Sequence, residues 1–243
     1  MRRRSPYSEQ RIKRLTLKRR LGILLLLFLA YEVITGVFLT PFRVESEAMA
    51  PTLSPGDQIL AFPLAFGPRG LFLSKPLKGV SEPRRGDLVV MEAPFYERDP
   101  WYLEAADSVV RFFTFQQVSL SASRNRLNGI SIKRVVGVPG DSLYMKDNEV
   151  FIKVSGSPHY LTEYEVSGQV YEAEGSRVPE GWPDAMPLSG AVPELTLGVG
   201  QYFVLGDKRT SALDSRAFGP VDRTRLRARV ILRYWPLRSF GIP

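Results

Sequence analysis

At 243 residues the chain is long enough for one substantial domain or two small ones. It has no cysteine and a single histidine, His159, which excludes a disulfide scaffold, a thiolate nucleophile and a cysteine-based zinc site. The formal net charge of +8 sits in one block. Residues 1–20 hold nine Lys or Arg against Glu9, and the rest of the chain is balanced at 24 basic and 24 acidic residues. A body without net basicity has little pull on phosphates, so no nucleic-acid partner is expected.

The basic block runs into LGILLLLFLAYEVITGVFLTPF, Leu21 to Phe42. About 20 helical residues at ~1.5 Å rise cover the ~30 Å hydrocarbon core of a bilayer. A cleaved secretory signal has a shorter apolar stretch and a small-x-small exit. Here the exit reads Phe38-Leu39-Thr40-Pro41. The pattern predicts an uncleaved, single-pass anchor over 21–42, with a basic cytoplasmic tail over 1–20 and the domain 43–243 on the far side of the lipid bilayer. Glu32 is costly inside lipid and needs a partner helix, a route to the interface or a proton.

The body reads as β structure. Short runs rich in β-branched and aromatic residues fall at 57–62, 86–93, 130–138, 141–146, 149–154 and 200–207, punctuated by Pro and Gly. Lys146-Asp147-Asn148 separates two alternating runs and predicts a hairpin. The expected fold is mostly β: an antiparallel, barrel-like domain after one N-terminal transmembrane helix. Insertions are expected at 94–130 and 155–195. The first carries Leu103, Ala106, Val110 and Phe113 at helical spacing; packing on the core is the commoner fate of such a face, and lying on a bilayer the alternative. The second is loop-rich and holds His159, expected at the surface. No clustered metal ligands occur in the sequence, and neither metal nor cofactor is expected.

Four segments stand out in order: VESEAMAPTLSPGD (44–57), RRGDLVV (84–90), IKRVVGVPGD (132–141) and GDKRTSALDSRAFGPV (206–221). Each alone is a turn beside a strand. Together, after an anchor, they closely resemble the characteristic boxes of the type I signal peptidase family. The resemblance implies a serine endopeptidase that removes signal peptides from exported proteins at small-x-small sites, on the extracytoplasmic face of the bacterial cytoplasmic membrane. It uses a serine nucleophile and a lysine base. A serine hydroxyl needs a base within reach, and a lysine serves only when burial lowers its pKa.

By this resemblance Lys133 is the general base and Ser46 lends its hydroxyl to the oxyanion hole. Asp207, Asp214 and Arg216 support the site, with Asp214 and Arg216 pairing to hold the loop. Arg134 alternates to the other face of its strand, where Asp207 or Asp214 is its expected partner. Met49 and the segment before Ser46 are candidates for substrate pockets. Two positions depart from the family. Ala48 stands at the nucleophile, and Ala212 stands where the family has the serine that orients the lysine. Lys208 replaces the usual Asn. Ser46, about 7 Å from position 48 in an extended chain, and Ser211 are poor substitutes. Loss of a catalytic serine costs on the order of 10⁶ in turnover, so the chain as written is expected to be inactive or strongly impaired. Two readings follow: a peptidase whose serine has been replaced, or a naturally inactive paralogue that binds signal peptides or a partner peptidase. A purely structural β-domain is the third.

Overall fold

The computed structural model describes residues 6–68, 77–95, 100–114, 118, 120, 129–169, 171–173, 175, 190–210 and 213–243. Helix α1 (Pro6–Val33) continues through a π turn, Ile34–Phe38, in which Leu39 N–H bonds the Ile34 carbonyl. The stretch Thr16–Phe38 is long and apolar enough to cross a membrane. The helix stops before the end of the hydropathy run, because Pro41 has no N–H and disfavours a helical residue before it. Thr40–Arg43 forms strand β1 instead.

Strand β2 (Gln58–Phe62) pairs antiparallel with β1, and β3 (Leu88–Glu92) follows. Helix α2 (Trp101–Phe113) separates β3 from β4 (Ile130–Gly137). Strands β5 (Ser142–Lys146) and β6 (Glu149–Lys153) form the expected hairpin, with Asp147 and Asn148 both at positive φ, the geometry that matches the strand twist. Then come β7 (Leu161–Thr162), α3 (Glu163–Ser167), β8 (Val192–Thr196), β9 (Gln201–Leu205), α4 (Ser215–Phe218), β10 (Val221–Asp222) and β11 (Leu226–Trp235).

Two antiparallel sheets result. The larger has seven strands in the order β1-β2-β11-β3-β4-β9-β10; the smaller has four, β7-β6-β5-β8. The fold is therefore mostly β and antiparallel. Strand β11, inserted between β2 and β3, alternates buried Leu226, Ala228 and Val230 with arginines, as one covered sheet face requires. Strands β3 and the second half of β4 are buried on both faces. One core cluster packs Val44, Met49, Leu53, Ile59, Leu88 and Val230; another joins β4 and β9 to the small sheet through Val136, Leu143, Ile152 and Phe203.

The register fixes one relation that matters below. Thr40 pairs with Ala61, and Ala61 with Val230; the next row toward the helix runs from Phe62 through Arg229 and Val89 to Lys133. Lys133 thus lies one row from the residue where the chain enters the sheet. Strands β2 and β3 both run antiparallel to β11, hence in the same direction, so the excursion between Glu92 and Ile130 leaves the sheet at the end where α1 joins it.

Candidate active site

The first block does not run on as a strand. Ala50 N–H bonds the Glu47 carbonyl and Leu53 N–H the Met49 carbonyl, winding Glu47–Met49 into a single tight turn. Ser46 has extended backbone angles and precedes the turn. The extended geometry assumed for residues 46–48 is therefore replaced by a turn. Met49, the candidate for a substrate pocket, is 1% exposed and packs with Leu53 and Ile59, which anchors the turn.

The fourth block closes on this turn. Lys208 N–H donates to the Ala48 carbonyl at 3.1 Å, and Lys208 Nζ reaches the Glu47 carboxylate at 2.5 Å. Gly206 is squeezed between the two elements. A Cβ there would lie 2.6 Å from the Ala48 carbonyl oxygen and 3.6 Å from Lys133 Nζ. The bare glycine is what lets the turn at position 48 and the lysine amine approach the same point.

Lys133 is 2% exposed and begins the fully buried part of β4, Lys133 to Gly137. Burial lowers its pKa; Asp214 pulls the value back up, Arg216 pushes it down and Asp207 raises it. The neighbouring carboxylates are largely occupied elsewhere. Asp214 caps α4, accepts from Gly206 N–H at 3.1 Å and takes two bonds from the Arg216 guanidinium, both 2.9 Å. Burial would raise the pKa of Asp214, but the bonds and charge of Arg216 outweigh it and hold the carboxyl below the usual range. Arg216 also donates to the Arg209 carbonyl at 2.6 Å, bracing the loop, and Ser215 Oγ accepts from Val204 N–H at 2.9 Å. Ala212 and Ser211 lie outside the described residues.

Arg134 points to the opposite face and is equally buried. Its partner is Asp207, held by two bonds of 2.9 and 2.7 Å. The same guanidinium donates to the Gly86 carbonyl at 2.9 Å and contacts Thr52 Oγ1 at 3.4 Å, while Thr52 donates to Asp207 at 2.6 Å. One side chain on the third block therefore touches the first, second and fourth. A second tie joins the blocks at the rim, where Arg85 pairs with Asp141 through bonds of 2.9 and 2.5 Å.

The sequence reading assigned no chemistry to the 155–195 insertion, yet two of its residues complete this frame. Thr162 and Glu165 form a capping box on α3. That start buries Glu163, which binds Arg209 of the fourth block at 2.9 and 2.8 Å. Tyr171 donates to Glu163 at 2.9 Å and lays its ring 3.9 Å from the Arg134 guanidinium carbon. The Thr-x-x-Glu signature was readable; its distant partners were not. His159 is exposed.

A buried lysine with a lowered pKa, a tight turn beside it and a charge-paired loop behind it suit a hydrolase that activates a hydroxyl without histidine. The chain matches the family described as "Signal peptidase, peptidase S26" over residues 17–235, and it belongs to that family. Among its relatives is the Signal peptidase IB of Staphylococcus aureus (strain Mu50), 25% identical over 209 residues, covering 85% of this chain and 84% of that protein. The Signal peptidase I of Pseudomonas fluorescens is 29% identical over 191 residues, covering 76% of this chain and 57% of that protein. A crystal structure of a signal peptidase I from Enterococcus faecalis V583 aligns with a TM-score of 0.33 and 21% identity, covering 62% of this chain and 98% of that one.

Proposed function

We propose that the chain is a membrane-anchored signal peptidase whose chemistry is arrested at position 48. In this reading the N-terminus lies in the cytoplasm and the β body on the extracytoplasmic face of a bacterial membrane. The substrates are signal peptides of exported pre-proteins. The observation that carries the reading is the approach of Lys133 Nζ and the Ala48 turn to the same point beside Gly206. With serine at 48, the lysine amine would take the hydroxyl proton as oxygen attacks the scissile carbonyl, then return it to the leaving amine. A methyl group has no proton to give and no lone pair to attack with. The nine positive charges before Leu21 support the orientation, and the one-row offset between Lys133 and the Thr40 row supports cleavage close to the bilayer.

Ala212 favours a second reading. A replaced nucleophile requires one substitution, whereas the chain departs from the family serine pattern at both 48 and 212. A pseudo-peptidase that binds signal peptides without cutting them fits that double departure.

The test is cleavage of a pre-protein with an Ala-x-Ala junction by Ala48→Ser, alone and combined with Ala212→Ser. Robust cleavage by the single variant supports an arrested peptidase. Failure of the double variant, correctly folded, would sink it. Binding of a signal peptide to the unaltered chain addresses the second reading, which is lost if no binding is detected.

A further inference from the structure

Helix α2 does not pack its apolar face on the core. Tyr102, Ala106, Val109 and Phe113 recur at intervals of four, three and four residues, which places them in one stripe, and all are exposed, Phe113 at 60%. The opposite side carries Glu104, Asp107 and Arg111. There Asp107 is buried, accepts from Leu120 N–H at 2.6 Å and faces Arg111 at 3.9 Å, tying the helix to the chain that follows it. A third side meets α1. Phe112 packs edge-on against Phe28 at 5.4 Å and Tyr31 at 5.3 Å, and Glu32 hydrogen-bonds the Ser108 side chain within the field of Arg111. On α1 the half-buried residues Phe28, Tyr31, Glu32 and Thr35 follow the spacing of a single helical face, while Leu25, Leu26, Leu27 and Leu29 around them stay exposed.

We propose that α2 is a second membrane element, embedded in the lipid leaflet nearest the β body with its Tyr102–Phe113 stripe against acyl chains. The inference rests on the reading of α1 as a membrane anchor. Three observations fix lipid as the occupant. The sheet register sends the chain between β3 and β4 out at the end where α1 enters. The contacts on α1 fall at residues 28–32, inside the apolar stretch that ends at Phe38, so α2 lies below the point where the anchor leaves the bilayer. The α1 leucines at 25, 26, 27 and 29 are exposed as the stripe is, an apolar surface of the kind that a bilayer covers. Trp101 and Tyr102, both exposed at the start of α2, are the amphipathic aromatics that settle at a membrane interface. The arrangement further gives Glu32 polar partners in the hydrocarbon, the condition for tolerating an acid there.

The absence of native cysteine permits a direct test on the full chain. Single variants Val109→Cys, Phe113→Cys, Glu104→Cys and Leu26→Cys are spin-labelled, reconstituted into phosphatidylcholine–phosphatidylglycerol vesicles and probed with oxygen and a water-soluble nickel chelate. The oxygen-to-nickel accessibility ratio should be several-fold higher at 109 and 113 than at 104, and comparable with that at 26. Nickel accessibility at 109 and 113 equal to that at 104 would overturn the proposal. So would exclusion of both reagents, which means protein covers the stripe. A water-accessible label at 26 would instead defeat the anchor reading itself, so the two failures are distinguishable.

Discussion

Lys133 and Arg134 are consecutive residues of one strand, both cations and both 2% exposed, yet their surroundings treat them in opposite ways. Arg134 has a carboxylate bonded to two of its nitrogens, a carbonyl on the third and an aromatic ring on its face. Lys133 has its carboxylates at a distance, satisfied by Arg216 and Arg134, and burial lowers its pKa. Depth alone therefore does not set the surroundings of a buried basic group. On its two faces β4 commits a carboxylate to one side chain and leaves the other without one.

Substitutions at the two positions should consequently move stability in opposite directions. Arg134→Met strands Asp207 without its counter-charge, and removing one partner of a buried pair costs about 3–5 kcal/mol. We expect a large drop in the denaturation midpoint, partly recovered when Asp207→Leu is added. An unchanged midpoint would show that the pair does not hold the blocks together. Gly206→Ala comes next. The added methyl meets a backbone oxygen at 2.6 Å, and such overpacking costs roughly 1–3 kcal/mol. In the Ala48→Ser background the same variant should lose cleavage by more than its stability loss explains, because it parts the turn from the amine.

Lys133→Met should have the reverse sign at neutral pH and raise the midpoint, since a buried amine that resists protonation is replaced by an apolar side chain of similar length. The pH dependence supplies the check. The folded-state pKa lies below the ordinary 10.5, so between those two values the unfolded chain binds more protons and stability rises with pH. That contribution is present above 10.5 and lost as pH falls through the folded value. Chemical denaturation across this window should show the slope in the parent and a flatter one in Lys133→Met. An identical slope in both would mean that Lys133 is not the group responsible. The smallest effect is expected at the rim. Lys208→Ala removes a pair whose Glu47 partner is solvent-exposed, and the midpoint should not move measurably.

The same contrast separates what the sequence made legible from what it did not. Lys133 and the Asp214–Arg216 pair stood out only through the resemblance of their blocks to a family, since the strand pattern by itself suits a lysine on a solvated face. The partner of Arg134 was narrowed to two aspartates but not chosen, since the choice depends on how β9 pairs with β4. Glu163 and Tyr171 carried no signal at all; they reach the site only because the small sheet folds back beside the large one. Strand β11 lies beyond the last block, and its regular alternation of apolar residues and arginines is the only signal the sequence offers for it. The turn at Glu47–Met49 offers no such signal. Its residues suit an extended chain equally well, and only the bonds back from Ala50 and Leu53 distinguish the two.

The register that holds Lys133 one row from the foot of β1 works as a height gauge. Hydrogen-bonded strands do not slide, so the lysine cannot drift relative to the point where the helix ends. Two residues added between Phe38 and Thr40 would lift the amine by up to about 7 Å at ~3.3 Å per residue, without touching a side chain of the site. Under the proposed function, an extended peptide rising from the bilayer would then meet the amine two residues later along its own length, and the sheet would set the spacing between its apolar segment and the bond presented.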